Sequence, residues 1–212
     1  MKSRVTQGKK RTTKIDISFT NKILIASLFI VTLVVTPDLT FDPINLPKFT
    51  IMVLLAGFLV PGLSDLRKGF LKLKGEPWKL VLVIFVFGQV VSLAGSGAPF
   101  SIQLYGSPGR LTGSITYAAL AIYFAFCAIS ENRSTTAKVL KLLVTLGLVL
   151  SIYGLLQSFD IEFFSYGAAY GSPVFGTLGN SNFLSGFLGI SASATAVMYF
   201  GAGITRLQRI LF

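Results

Sequence analysis

The chain contains no histidine and a single cysteine, Cys127. The first absence removes histidine-dependent triads and histidine general bases from its repertoire. The second excludes an intramolecular disulfide, and together they leave too few ligands of the usual kind for a zinc site. Acidic residues number only 8, and charged residues of both signs make up 13% of the 212. A soluble domain carries about 25%. The charge that is present leans one way, with 19 Lys and Arg giving a net of +11. Apolar residues take up the remainder, at 52% of the chain and a mean hydropathy of +0.72. This is the composition of an integral membrane protein.

A helix crosses the roughly 30 Å hydrocarbon layer in about 20 residues. Six apolar stretches approach that length: 17–35, 49–63, 80–93, 115–129, 139–156 and 183–200. The second is expected to kink or stop at Pro61-Gly62. None alternates in the manner of a barrel strand. The expected fold is all-α, a polytopic transmembrane helical bundle of about six spans. A basic tail over 1–20 precedes a multi-span membrane domain over 21–212.

Charge sorts the connecting segments. The basic residues before the first span, between the second and third, between the fourth and fifth, and after the sixth together number seventeen; the other loops hold only Lys48 and Arg110. Positive charge stays cytoplasmic during insertion, so the amino terminus and the far end of the sixth span are both expected in the cytoplasm. The basic tail then reads as an orientation signal, and no nucleic acid partner is expected. Thr36-Pro37-Asp38 is a poor cleavage site, which favours an uncleaved first span. Residues 204–212 look like a cytoplasmic turn leading into a further apolar run, so this chain is expected to be either a fragment of a longer protein or a natural truncation.

Irregular backbone and polar groups gather in two loops on the outer side. The 94–113 loop is rich in Gly and Pro and holds one cation, Arg110, with Gly109 and Gly113 beside it. A guanidinium presents a rigid fork of donors suited to phosphate or carboxylate, and glycines let backbone N–H groups approach the same anion. The competing reading is an interfacial anchor that snorkels to headgroups. The second loop carries Phe159, Phe163, Phe164, Tyr166, Tyr170 and Phe175, with Asp160 and Glu162 and no basic residue. Rings beside acids and amides suit a sugar-binding face, although an aromatic belt at the membrane interface is the commoner origin. Asp160 and Glu162, two apart, would not share a helical face and make a weak acid/base pair. Asn180-Ser181-Asn182 closes the loop as a turn and helix cap, or as carboxamides that bind sugar hydroxyls or a lipid phosphate at the helix amino end. Ser181, Ser185, Gly189 and Ser193 then recur every four residues, a stripe suited to close helix packing.

Four segments carry a family likeness. Gly109-Arg110-Leu111-Thr112-Gly113 with Tyr117, Leu155-Leu156-Gln157, the run from Gly176-Thr177-Leu178-Gly179 through Asn180-Ser181-Asn182 to Leu184, and Asn45-Leu46-Pro47-Lys48-Phe49 together resemble the O-antigen ligase and O-antigen polymerase family. The likeness covers most of residues 40–200 and is most specific at Gly176, Gly179, Asn180 and Asn182. It implies glycosyl transfer on the outer face of a bacterial plasma (inner) membrane, from a glycan donor linked to undecaprenyl diphosphate to a lipid or glycan acceptor. The lipid diphosphate is the leaving group, so the resemblance implies no metal, nucleotide sugar or other cofactor.

In that scheme Arg110, between Gly109 and Gly113, would neutralise charge developing on the diphosphate. Asn180 and Asn182 would orient the carrier or the sugar, or cap the helix that does. No catalytic residue is indicated. The chain departs from the family's Asn-Pro-Asn, whose proline suits a first helical turn, by placing Ser181 between the asparagines. Family members also have more spans and a later outer loop with further arginines and, in ligases, a histidine. The chain therefore resembles the amino-terminal portion of such an enzyme and is expected to be inactive alone.

Two other readings compete. A transporter or channel subunit calls for charge at mid-membrane or an internal repeat, and the sequence offers neither. A non-catalytic membrane partner would assemble through the small-residue stripe of the sixth span.

Overall fold

The computed structural model describes residues 17–37, 39–60, 76–130, 133–164, 166 and 174–200, without the side chains of 17, 18 and 130. The rest of the basic tail (1–16), Asp38, the Pro61-Gly62 stop, the basic segment 61–75, Tyr170 and residues 204–212 lie outside the described residues.

Among the described residues the chain is helical, with seven helices and no strand. In chain order they are α1 (Ile17–Leu33), α2 (Asn45–Leu59), α3 (Pro77–Gly95), the short α4 (Phe100–Tyr105), α5 (Ser114–Ser130), α6 (Arg133–Ser158) and α7 (Ser181–Phe200). Three of them, α3, α6 and α7, are long and apolar enough to cross a membrane, at 19, 26 and 20 residues. The other long helices are apolar but shorter, at 17, 15 and 17 residues for α1, α2 and α5. The chain is thus a helical membrane protein by length and composition.

Local chemistry sets the helix ends. Pro77 opens α3 at a position where a missing N–H costs nothing. Asp42 precedes α2, and its Oδ1 accepts the backbone N–H groups of Ile44 (3.2 Å) and Asn45 (2.8 Å). Helix α2 consequently starts four residues before the apolar run that announced it. Two hydroxyls inside α1 are satisfied locally, Ser27 and Thr32 donating to the carbonyls of Ile23 and Leu28 one turn back, whereas Asn21 reaches across to Thr135 of α6.

Two joints hold the helices together. In the first, Ile23 of α1, Leu59 of α2 and Phe126 of α5 are buried against one another. There the Tyr123 hydroxyl lies 3.0 Å from both Ser27 Oγ and the Met52 carbonyl, which links the same three helices by polar contacts. In the second, α7 crosses α6 so closely that a Cβ on Gly147 would collide with the Ser191 side chain. Leu146, Leu150, Leu184 and Ala194 are buried around that crossing. The face of α7 in use is therefore that of Leu184, Ser191 and Ala194. The stripe of Ser181, Ser185, Gly189 and Ser193 faces outward instead, since all four are exposed. Four-residue spacing revealed a small-residue face, but the glycine on the partner helix decided which face was used.

Among the described residues helix α3 is held along one side only, where Trp78 and Phe85 meet Phe124 and Tyr117 of α5 edge-on. None of its residues is buried, and Leu80, Val83, Ile84, Phe87 and Val90 all point outward. An exposed apolar surface on the remaining sides is the pattern of a helix facing lipid.

Candidate functional site

The helices alternate in direction, which collects their connections at two ends. At what we call the upper end, α1 stops and α2 begins. The last carbonyls of a helix lack partners within it, and they carry the negative end of the helix dipole. The half-buried Lys48, one turn into α2, meets both needs: its ammonium donates to the carbonyls of Val31 (2.7 Å) and Thr32 (3.0 Å). The Thr32 carbonyl takes a second bond, 2.7 Å long, from the hydroxyl of Thr177 in the segment leading to α7. One carbonyl thereby ties together the first helix, the second helix and the approach to the last.

Gln157 closes α6 at the same end and is 2% exposed. Its Oε1 accepts the backbone N–H groups of Phe175 (3.2 Å) and Gly176 (2.7 Å), and its Nε2 donates to Glu162 Oε2 at 2.6 Å. The other oxygen of Glu162 accepts the Tyr153 hydroxyl and the Phe163 N–H. Tyr153 spends its only hydroxyl hydrogen on Glu162, so its oxygen accepts from the Tyr166 hydroxyl at 3.2 Å. Burial raises the pKa of the Tyr166 phenol, and the charge of Glu162 adds to the effect. That phenol therefore stays protonated as a donor. Beneath the network Tyr166 meets Phe175 edge-on at 5.1 Å, and both rings are buried with Ile44 from the α1–α2 connection.

The arginine loop sits at this end as well. Arg110 and Leu111 both donate backbone N–H groups to the Ser107 carbonyl, which folds 107–111 into a turn. Gly113 closes the turn from below: a Cβ there would collide with the Leu104 carbonyl and the Gly106 nitrogen. Gly109 has φ +79°, in the left-handed region, with open space around it. Ser114 Oγ donates to the Gln103 carbonyl (2.9 Å), and Gln103 Nε2 donates to the carbonyls of Ser96 and Ala98. The Asn45 carboxamide donates to the Gly109 carbonyl at 2.8 Å and fastens the turn to the start of α2. Arg110 itself is exposed, and its guanidinium bonds no other described residue.

The two asparagines divide the roles foreseen for them. Asn180 is a helix cap, since its Oδ1 accepts the Asn182 N–H at 2.8 Å. The Asn182 side chain is exposed in the first turn of α7 and bonds to no other described residue. Of the loop aromatics, Tyr166 and Phe175 are interior, whereas Phe159, Phe163 and Phe164 are exposed. Asp160 is exposed at φ +60° and makes no hydrogen bond through its carboxylate to another described residue. It is not paired with Glu162, whose oxygens are both committed.

The upper end therefore offers one exposed cation on a braced turn and one exposed carboxamide at a helix amino end, beside a network in which the exposed Glu162 joins the buried Gln157 and two buried phenols. Among the described residues no group of His, Cys, Asp and Glu is placed to hold a metal ion. Gln157, Lys48 and Thr177 enter the site although sequence alone gave them no individual role. Lys48 had one visible signal, being with Arg110 one of two cations on an otherwise cation-free side. Comparison with family models, with characterised proteins and with solved structures finds no match to this chain.

Proposed function

We propose that this chain takes part in glycosyl transfer of the O-antigen ligase or polymerase type, using a glycan carried on a polyprenyl diphosphate at the outer face of a bacterial plasma membrane. The observation that carries the reading is the convergence of the four resembling segments at one end of the bundle. Asn45 holds Gly109, Lys48 and Thr177 meet on the Thr32 carbonyl, and Gln157 holds Gly176. Segments spread over more than a hundred residues are thus built into one surface.

In this reading all six long helices cross the membrane, with the upper end outside and the amino terminus in the cytoplasm. The alternation of helix directions and the basic residues at the other end support that orientation. Arg110 pairs with the diphosphate of the donor through its planar fork, and its charge lowers the barrier as the leaving group takes up negative charge. Asn182 hydrogen-bonds the sugar or the carrier, while Asn180 fixes the helix that presents it.

The test is Arg110→Ala in the intact protein in its native membrane. Transfer should be lost with insertion unchanged, and polyprenyl-linked glycan should accumulate in lipid extracts. Arg110→Lys should recover little, because a point charge lacks the fork. Full transfer in Arg110→Ala would reduce the residue to a headgroup anchor. A second reading has its own observation, the outward stripe of Ser181, Ser185, Gly189 and Ser193, which suits assembly with another membrane helix. Stable co-purification of a membrane partner, lost in Gly189→Leu, would favour a non-catalytic partner role.

A further inference from the structure

Glu162 is itself exposed, yet the buried groups beside it are arranged around its carboxylate. Its Oε1 accepts the Tyr153 hydroxyl and the Phe163 N–H (3.1 Å), and its Oε2 accepts Gln157 Nε2 at 2.6 Å. Three donors on two oxygens suit an ionised carboxylate, which can only accept. A protonated carboxyl would bring a further hydrogen into a ring of hydrogens.

That one-sidedness is passed on to Gln157. A carboxamide has an accepting end and a donating end, and only one of its two orientations serves this position. Its Oε1 receives the Phe175 and Gly176 N–H groups while its Nε2 faces the carboxylate. Turned over, Oε1 would stand against Glu162 Oε2, and Nε2 against two N–H donors. The charge on Glu162 therefore supports the orientation that holds residues 175 and 176. Thr177, next in the chain, carries the bond to the Thr32 carbonyl, and Asn180 and Asn182 follow at the head of α7.

We infer that Glu162 is a positioning residue whose negative charge latches the 175–177 segment, and that acid at the upper end releases it. The latch is read without any substrate; only its consequence for transfer rests on the proposed function. A protonated Glu162 has a hydrogen to donate, and of its three partners only the Tyr153 oxygen can accept it. Tyr153 then turns its own hydrogen toward Tyr166, which reverses the bond between the two phenols. The Gln157 and Phe163 N–H groups are left with a neutral acceptor, and charge-assisted hydrogen bonds are about twice as strong as neutral ones. The latch is thus closed while Glu162 is ionised and opens as pH falls.

The titratable groups around it among the described residues are the Tyr153 phenol from α6, the Tyr166 phenol, and Asp160 on its own loop. Phenols stay neutral in acid, and the rings packed on them, Phe163, Phe164 and Phe175, carry no charge. Asp160 is the one neighbour that titrates with Glu162, and its carboxylate bonds no other described residue.

The experiment is hydrogen–deuterium exchange of the full chain in nanodiscs, corrected for the intrinsic pH dependence of exchange. It compares about pH 7.5 with about pH 3.5, a range that takes ordinary carboxyl groups from ionised to largely neutral. Protection of Phe175 and Gly176 should fall roughly tenfold. Protection around Ile23, Leu59 and Phe126 should not change. Glu162→Gln, neutral at every pH, should show the lowered protection already at pH about 7.5 and respond no further. Asp160→Asn should respond as the wild type does. Residues 44 and 45 report separately on Asp42, whose carboxylate they bond.

Protection at 175 and 176 that ignores pH in the wild type, or a response that survives Glu162→Gln, overturns the latch. Should Glu162→Gln misfold, the wild type and Asp160→Asn still decide, since a response lost in Asp160→Asn assigns the switch to the wrong carboxylate. On the proposed function, Glu162→Gln should also raise polyprenyl-linked glycan in lipid extracts at neutral pH. Unchanged glycan beside the expected exchange pattern would sink the link to transfer and keep the latch. A latch that fails while Arg110→Ala still blocks transfer would leave the proposed function standing.

Discussion

Replacing Gln157 by Leu tests whether the upper end is held by one side chain. Leu keeps most of the volume, so the cost lies in hydrogen bonds. The backbone N–H groups of Phe175 and Gly176 lose their acceptor in a buried setting, and each orphaned donor costs about 1–3 kcal/mol. The Glu162 carboxylate loses one donor but keeps Tyr153 and the Phe163 N–H, so its share is small. Some of the penalty is recovered as water enters the turn, which leaves about 3 kcal/mol. That amount corresponds to amide exchange roughly a hundredfold faster.

Hydrogen–deuterium exchange with fragment resolution is the assay, because it separates a local opening from global loosening. The expected pattern is faster exchange over 174–178 with the α1, α2 and α5 core unchanged. Unaltered exchange at Phe175 and Gly176 would refute the assignment of Gln157 as their holder. Uniform acceleration across every helix would refute the claim that its role is local.

Three further perturbations separate support from function. Gly113→Ala forces a Cβ into the Leu104 backbone and should cost about 1–3 kcal/mol, opening the turn to trypsin at Arg110. Gly109→Ala should cost only about 1 kcal/mol of left-handed strain, and equal cleavage of the two variants would contradict the packing at Gly113. Asn180→Ala should lose about 1 kcal/mol of thermal stability as a cap, whereas Asn182→Ala, on the proposed function, should reduce glycosyl transfer at unchanged stability. Equal stability losses would make both asparagines structural. Gly147→Ala should loosen the α6–α7 crossing by about 1–3 kcal/mol in detergent melts, and Ser191→Gly should restore it; losses that merely add would show that the two do not touch.

The helices were legible where hydrophobicity alone decides them. Apolar runs placed α5 and α7 to within two residues at each end. They missed the first turns of α6, where Ser134, Thr135 and Thr136 are polar but helical, and of α2, whose start depends on the Asp42 carboxylate. The arginine turn was legible because glycine on either side of a lone cation marks a tight backbone. Gln157 and Thr177 were not, because each acts on a backbone group far along the chain. A hydrogen bond from residue 177 to residue 32 leaves no periodicity to detect. Asn180 was legible as a cap from its neighbours, since a cap is a local interaction.

The shared carbonyl of Thr32 also imposes an order in time. Lys48 lies 16 residues beyond Thr32 and is made almost at once, so the end of α1 gains its first partner as α2 emerges. Thr177 lies 145 residues away. At translation rates of about 5–20 residues per second, that second partner arrives roughly 7 to 30 s later. Until then the surface that carries Arg110 and Asn182 is open on one side. The lysine is thus a provisional clasp, and the nascent chain has no finished site to expose until its last described helix has been threaded into place.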